Sequence, residues 1–161
     1  MKSNFTQILM ISVLITFFAA GFTSAQQGEN SLENLYQKYL LLKDALAQDN
    51  TASAAQAAED LAKAVPTKGF QALQANLIQL KKKAEAIATS NNIKTQRAHF
   101  YAVSDEMIII AGKSNLSRDD IFVQYCPMAK GHWLSDSKKI VNPYYGSEML
   151  ACGYIKEEIK R

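Results

Sequence analysis

The 161-residue sequence has few of the residues that usually carry site chemistry: two cysteines, two histidines and one tryptophan. It contains no C-x-x-C redox pair, no H-E-x-x-H metalloprotease motif and no glycine-rich phosphate loop. A cysteine nucleophile would need a base and a group that stabilises an oxyanion, and the sequence shows no such arrangement. We therefore predict that the protein is not an enzyme.

The sequence also has little excess of either charge, because 18 basic residues are balanced by 15 acidic ones, for a net charge of +3. The only basic run is Lys81-Lys82-Lys83, which is typical of the solvated face of a helix. No zinc-finger spacing, aromatic RNA-binding motif or dense basic stretch occurs. These absences argue against a nucleic-acid partner.

The sequence begins with the pattern of a secretory signal peptide over residues 1–25. Lys2 precedes an apolar run at residues 8–21, and Thr23-Ser24-Ala25 supplies small residues before a cut ahead of Gln26. The run is short for a membrane span, so we expect cleavage and no stable membrane insertion afterwards. We predict a periplasmic or secreted protein with a single domain over residues 26–161.

Apolar residues at three- and four-residue spacing predict four helices in the first two thirds of this domain. The first is capped by Asn30 and ends near Gln48, and the second covers residues 51–65 before Pro66. The third opens at Thr67-Lys68-Gly69, and the fourth follows a cap within Ser90-Asn91-Asn92 and ends near Gly112. Short connections between such helices favour an up-down-up-down bundle.

The composition changes after Gly112. Residues 121–125 are β-branched and aromatic, which predicts a short strand, whereas residues 126–153 carry prolines, glycines, Trp133, Tyr144 and Tyr145. We predict a mostly α-helical fold, an up-down four-helix bundle with an irregular C-terminal hook that contains a short β-strand. The aromatic residues of the hook are expected to anchor it on the bundle.

The two cysteines and two methionines of the hook are the candidate site residues, at Cys126, Met128, Met149 and Cys152. Thiolate and thioether groups suit a soft metal ion such as Cu(I), and His99 on the fourth helix is a candidate auxiliary ligand. Met107, on the same helix, is expected in the core.

A disulfide is the alternative for the same two cysteines. In an exported protein a cysteine pair oxidises by default, and closing a loop of about 27 residues stabilises the fold by about 3–4 kcal/mol in the chain-entropy model. The methionines would then fill gaps near the bridge. The sequence leaves both alternatives open.

The C-terminal segment resembles a domain of unknown function found in exported bacterial proteins and fused to periplasmic adaptor subunits of heavy-metal efflux pumps. The resemblance rests on a combination of short elements: YCPMA at 125–129, WLS at 133–135, NPYYG at 142–146, ML at 149–150 and CG at 152–153, with QR-x-HF at 96–100 on the fourth helix.

The resemblance implies a role in metal handling. The first hypothesis is a periplasmic protein that binds Cu(I) or Ag(I) and delivers the ion to an efflux adaptor. The second is a disulfide-stapled interaction module of the cell envelope that binds no metal and presents Trp133, Tyr144 and Tyr145 to a partner protein.

Overall fold

The computed structural model describes residues 22–160 of the chain. The predicted signal peptide therefore lies almost wholly outside the described residues and stays a prediction. Within the described part, no helix combines the length and apolar character that crossing a bilayer requires.

Four α-helices make up the first two thirds of the described chain. Their bounds are α1 Phe22–Ala47, α2 Thr51–Ala64, α3 Gln74–Ala88 and α4 Ile93–Lys113. Asparagine side chains cap the N-termini of two of them: Asn50 Oδ1 accepts from Ser53 N in α2, and Asn92 Oδ1 accepts from Thr95 N in α4. The predicted cap before α4 and the predicted end of α2 before Pro66 are confirmed.

Two predicted helix starts are wrong. The backbone is already helical from Phe22, so Asn30 lies inside α1 instead of capping it. The single Gly28 lowers helix propensity there by only about 1 kcal/mol, which the rest of the helix can offset. Residues 66–70 are not helical, since Gly69 has a positive φ of 88°, and a short 3₁₀ turn at Gln71–Leu73 leads into α3.

Successive helices pack against one another, α1 on α2, α2 on α3 and α3 on α4. The residues at helical spacing form their shared core, as predicted. The fully buried members include Leu35, Leu42, Leu46, Leu61, Leu80, Ile87, Phe100, Met107 and Ile110. The prediction of a mostly helical fold is confirmed, and so is the prediction that Met107 belongs to the core.

The C-terminal third forms a three-stranded antiparallel sheet with strand order β2-β1-β3. Its strands are β1 Ile121–Cys126, β2 Gly131–Ser135 and β3 Tyr154–Ile159. A four-residue turn joins β1 to β2, so that Cys126 pairs with Gly131, and β3 returns along the other side of β1 with Tyr125 opposite Tyr154. The predicted strand is confirmed, but the hook is less irregular than predicted, since it contributes β2 and leads directly into β3.

The sheet shares one core with the helices. Strand β2 lies against α4, and Trp133 and Leu134 are fully buried in the same cluster as the helix residues. Tyr39 on α1 joins the two parts, because its hydroxyl contacts Ser104 Oγ on α4 at 2.7 Å and accepts the Leu134 N–H of β2 at 3.0 Å.

Candidate functional site

Of the residues predicted as ligands, the structure brings the two cysteines into direct contact. Cys126 is the last residue of β1 and Cys152 lies just before β3, and their Sγ atoms are 3.0 Å apart. Both are free thiols. The contact arises because β3 pairs with β1 from Tyr154 onward, which holds the residues preceding β3 beside the end of β1.

Asn142 holds the loop that carries Cys152. Its amide nitrogen donates to the Cys152 carbonyl at 2.9 Å, and its backbone N–H donates to the Leu150 carbonyl at 2.8 Å. Its side-chain oxygen accepts from Tyr144 N at 2.8 Å, which forms the predicted turn at 142–146. A single fully buried asparagine therefore shapes the turn and positions the second thiol.

The two thiols differ in their surroundings. Cys126 is fully buried, which acts to raise its pKa, but hydrogen bonds from Cys152, from the N–H groups of Ala129 and Met128 and from Asn142 outweigh burial and lower the pKa overall. The Ala129 N–H lies 3.4 Å from Cys126 Sγ. Cys152 is partly exposed, and its hydrogen bond to Cys126 raises the pKa of its thiol. The surroundings therefore favour the thiolate form of Cys126 over that of Cys152.

The methionines flank this pair without being buried with it. Met128 lies in the turn between β1 and β2, and its side chain is 63% exposed. Met149 is partly buried in the turn before Cys152, where its carbonyl accepts the Cys152 N–H at 3.0 Å. Both thioethers therefore belong to segments that border the thiols.

The structure places His99 away from the thiols. Two neighbours on α4 face the C-terminal segment, since Arg97 donates to the Pro143 carbonyl and Tyr101 donates to the Ala129 carbonyl. Residues two apart on a helix point in nearly opposite directions. His99 lies two residues from each of them, so it lies on the opposite side of α4.

The aromatic residues of the hook are packing anchors, as the sequence indicated. Trp133 is fully buried and meets the Tyr144 ring edge-on, with centroids 6.0 Å apart. Tyr144 is 6% exposed and donates its hydroxyl to the His132 carbonyl. The expectation that Trp133 and Tyr144 are presented to a partner is therefore wrong, because their contacts with the core bury them.

One junction near the site was not predicted. Arg97 Nη2 donates to the Leu46 carbonyl at 2.8 Å and pairs with Asp49 Oδ1 at 2.5 Å, while its Nε donates to Pro143. It thereby joins the end of α1 to the 142–146 turn. The only indication in the sequence was the QR-x-HF element of α4, which carries no information about its partners.

Among the described residues there is no group of three or more histidine, cysteine or acidic side chains arranged to hold a metal ion.

A family model described as "Protein of unknown function (DUF3347)" matches residues 35–119, which is more than half of the chain. The chain belongs to this family. No curated protein and no solved structure matches it significantly. The matched residues of this DUF3347 protein run from α1 through α4 and stop before β1, so both thiols lie outside the match.

Proposed function

We propose that this protein binds a soft metal ion, Cu(I) or Ag(I), through Cys126 and Cys152. One observation carries the proposal: two free thiols from distant parts of the chain have their Sγ atoms 3.0 Å apart. Thiolates and thioethers are the ligands that Cu(I) prefers, and Met128 and Met149 border the pair.

The arrangement of the pair suits metal capture. Hydrogen bonds that lower the pKa of Cys126 favour the thiolate, which is the form that binds metal. With metal–sulfur bonds of about 2.3 Å, two sulfurs on opposite sides of the ion would lie about 4.6 Å apart, farther than the observed 3.0 Å. The sulfurs must then separate, and Cys152 is the one of the two cysteines that is partly exposed, so its side chain has solvent beside it.

Delivery of the ion to a partner is the second part of the proposal. Large apolar side chains are exposed on the segments that flank the thiols, namely Met128, Leu150, Tyr154 and Ile155. Exposed apolar side chains of this size suit contact with another protein. We propose an efflux adaptor as that partner, in the periplasm, on the basis of the elements at 125–153 that resemble adaptor-fused domains. The ion would pass by exchange of one sulfur ligand at a time, with no redox turnover.

We also propose that the four helices run alternately up and down, an arrangement that the contacts between successive helices support. In this arrangement the bundle is a scaffold, and the thiols sit on the sheet attached to it.

A disulfide staple in a module that binds no metal is the second candidate function. The contact between the two sulfurs favours it as well, because a bond between them would tie the loop before β3 to the end of β1. In this case Tyr154 and the neighbouring exposed apolar residues, not Trp133, would meet the partner.

An anaerobic Cu(I) titration of the fully reduced protein against a competing chelator tests the proposal. We expect one tightly bound Cu(I) per chain in wild type. The Cys126→Ser and Cys152→Ser variants should no longer compete with the chelator for Cu(I). Met128→Leu should weaken binding about tenfold, whereas Met107→Leu, in the buried core, should leave it unchanged. Reduced wild-type protein that cannot compete for Cu(I) would refute metal binding and leave the staple.

A further inference from the structure

The two cysteines differ sharply in access, although their sulfurs touch. Cys126 is fully buried at the end of the central strand, whereas Cys152 is partly exposed in the turn before the edge strand β3. A molecule arriving from solvent therefore meets the sulfur of Cys152 first. Thiol–disulfide exchange requires in-line access to the attacked sulfur, so this asymmetry decides which cysteine reacts.

We infer that Cys126 and Cys152 form a reversible dithiol–disulfide pair, in which Cys152 exchanges with low-molecular-weight thiols and disulfides and Cys126 is the resolving thiol. This goes beyond the proposed function, since the exchange needs no metal. It also differs from a permanent staple, because the bond would be broken from the Cys152 side.

Contacts around Cys126 support its role as the resolving thiol. The Ala129 N–H points to its sulfur at 3.4 Å, and the same turn is held in place because Tyr101 Oη donates to the Ala129 carbonyl at 2.9 Å. These contacts come from the turn between β1 and β2, not from Cys152. They therefore remain when the bond between the cysteines breaks, and they stabilise Cys126 as the departing sulfur.

Oxidation of the dithiol by a small disulfide, RSSR, takes two exchange steps. Cys126 is the more acidic thiol, but Cys152 is the sulfur that RSSR can reach, and its less acidic thiol gives the more nucleophilic thiolate. The Cys152 thiolate attacks one sulfur of RSSR, an S–S bond forms between Cys152 and that sulfur, and RS⁻ leaves. The Cys126 thiolate then attacks Cys152 Sγ and displaces the second RS⁻. The two protons of the protein thiols end on the two RS⁻ groups, so the net products are the protein disulfide and two RSH.

Reduction by a small thiol follows the same path backwards. The thiolate RS⁻ attacks the exposed Cys152 Sγ, and Cys126 leaves as a thiolate. A second RS⁻ then attacks the external sulfur of the mixed disulfide, which frees Cys152 and forms RSSR. In both directions the mixed disulfide is on Cys152.

This exchange would also control the proposed metal site, a consequence that rests on the proposed function. A disulfide offers no thiolate, so the oxidised protein would lose both of its strong soft ligands. Metal binding would then depend on the oxidation state of the pair.

The test uses reduced, metal-free protein and dithiobis(nitrobenzoate), an aromatic disulfide whose released thiolate is coloured. Wild type should release two thiolates per chain and retain none, because the internal disulfide forms. Cys126→Ser should release one and keep one as a mixed disulfide on Cys152. Cys152→Ser, the matched control, should react at least tenfold more slowly, since its remaining thiol is buried.

Far-ultraviolet circular dichroism establishes that each variant is folded before the rates are compared. Should either variant fail to fold, peptide mass spectrometry of wild type after a short exposure to substoichiometric probe locates the mixed disulfide. An adduct on Cys126, or wild type that keeps probe on both sulfurs, would overturn the inference.

A Cu(I) titration of the oxidised and the re-reduced protein separates this inference from the proposed function. Exchange at Cys152 with no Cu(I) binding in either state would overturn the proposed function alone. Equal Cu(I) binding in both states would overturn the control of metal binding by the pair. Binding only after reduction supports both.

Discussion

The helices α1–α4 bury mainly leucine and alanine, with three buried polar side chains, whereas the shorter C-terminal part buries Trp133 and Tyr144 and also has three buried polar side chains, Gln124, Ser135 and Asn142. Each buried polar side chain of the C-terminal part bonds to nearby backbone. Gln124 Nε2 donates to the carbonyls of Ser137 and Lys139, and Asn142 bonds to Cys152 and Tyr144. These side chains take the place of regular secondary structure in a region with long connections.

The C-terminal part depends on side chains of the helices in addition to its own strand pairing. Tyr39, Arg97 and Tyr101 all extend from the helices to backbone groups of residues 129–143. Both thiols lie on the dependent part. Variants that weaken these attachments should therefore change the thiol contact as well as stability, and four predictions sharpen this view.

The largest effect is expected from Trp133→Ala. The side chain is fully buried and contacts Tyr144, so its removal should lower the free energy of unfolding by about 3–5 kcal/mol. Urea denaturation, monitored by circular dichroism, measures this loss of unfolding free energy. Tyr154→Ala, at a residue that is 51% exposed in the same sheet, should cost less than about 1 kcal/mol. Equal losses would contradict the assignment of Trp133 as the anchor.

Glycine substitutions should have opposite effects in the two regions. Gly146→Ala places a Cβ in a backbone with φ 56° and against Arg97 and Asp49, which should destabilise the protein by about 2–4 kcal/mol. Gly112→Ala, near the end of α4 with no atom within 4 Å of the added Cβ, should stabilise it by about 0.5–1 kcal/mol. The same sign for both, in thermal or urea unfolding, would argue against the junction at Gly146.

Tyr39→Phe tests the hydrogen bonds that join helix and sheet. It leaves the Leu134 N–H and Ser104 Oγ without their partner in the core, which should cost about 1–3 kcal/mol. Relative to wild type, amide hydrogen exchange in the variant should be accelerated more in β2 than in α3. Tyr154→Phe, at an exposed position, is the control, and uniform acceleration of all elements would show that Tyr39 supports the whole fold and not the attachment of the sheet.

The smallest effect concerns Asp49 and acid. Hydrogen bonds from Ser147 and then from Arg97 lower the pKa of Asp49 to about 2. A lowered pKa in the folded state adds stability above the unfolded-state value of about 3.9, and this stability is lost as pH falls towards 2. Because the carboxylate is 36% exposed, the gain should stay below about 1 kcal/mol.

Urea unfolding of wild type and Asp49→Asn at pH 5 and at pH 2.5 measures this contribution. The difference between the two proteins should shrink at the lower pH. A constant difference would mean that the carboxylate charge of Asp49 does not contribute to the junction with Arg97.

Local patterns in the sequence were enough to locate the helical part of the protein. Apolar spacing located all four helices, and Asn92 was recognisable as a cap, because these features depend on residues within one or two turns of each other. The start of α1 was misplaced, because a local capping pattern at Asn30 competes with continuation of the helix on its N-terminal side.

The geometry of the site, in contrast, depends on contacts between residues that are distant in the chain. The sequence supplied Cys126 and Cys152 as candidates but could not show that they touch, since 26 residues separate them and the β1–β3 pairing and Asn142 bring them together. It also could not place His99 on the far side of α4. Strands β2 and β3 could not be located from the sequence for the same reason: a strand is stabilised by its partners across the sheet, and those partners are distant in the chain.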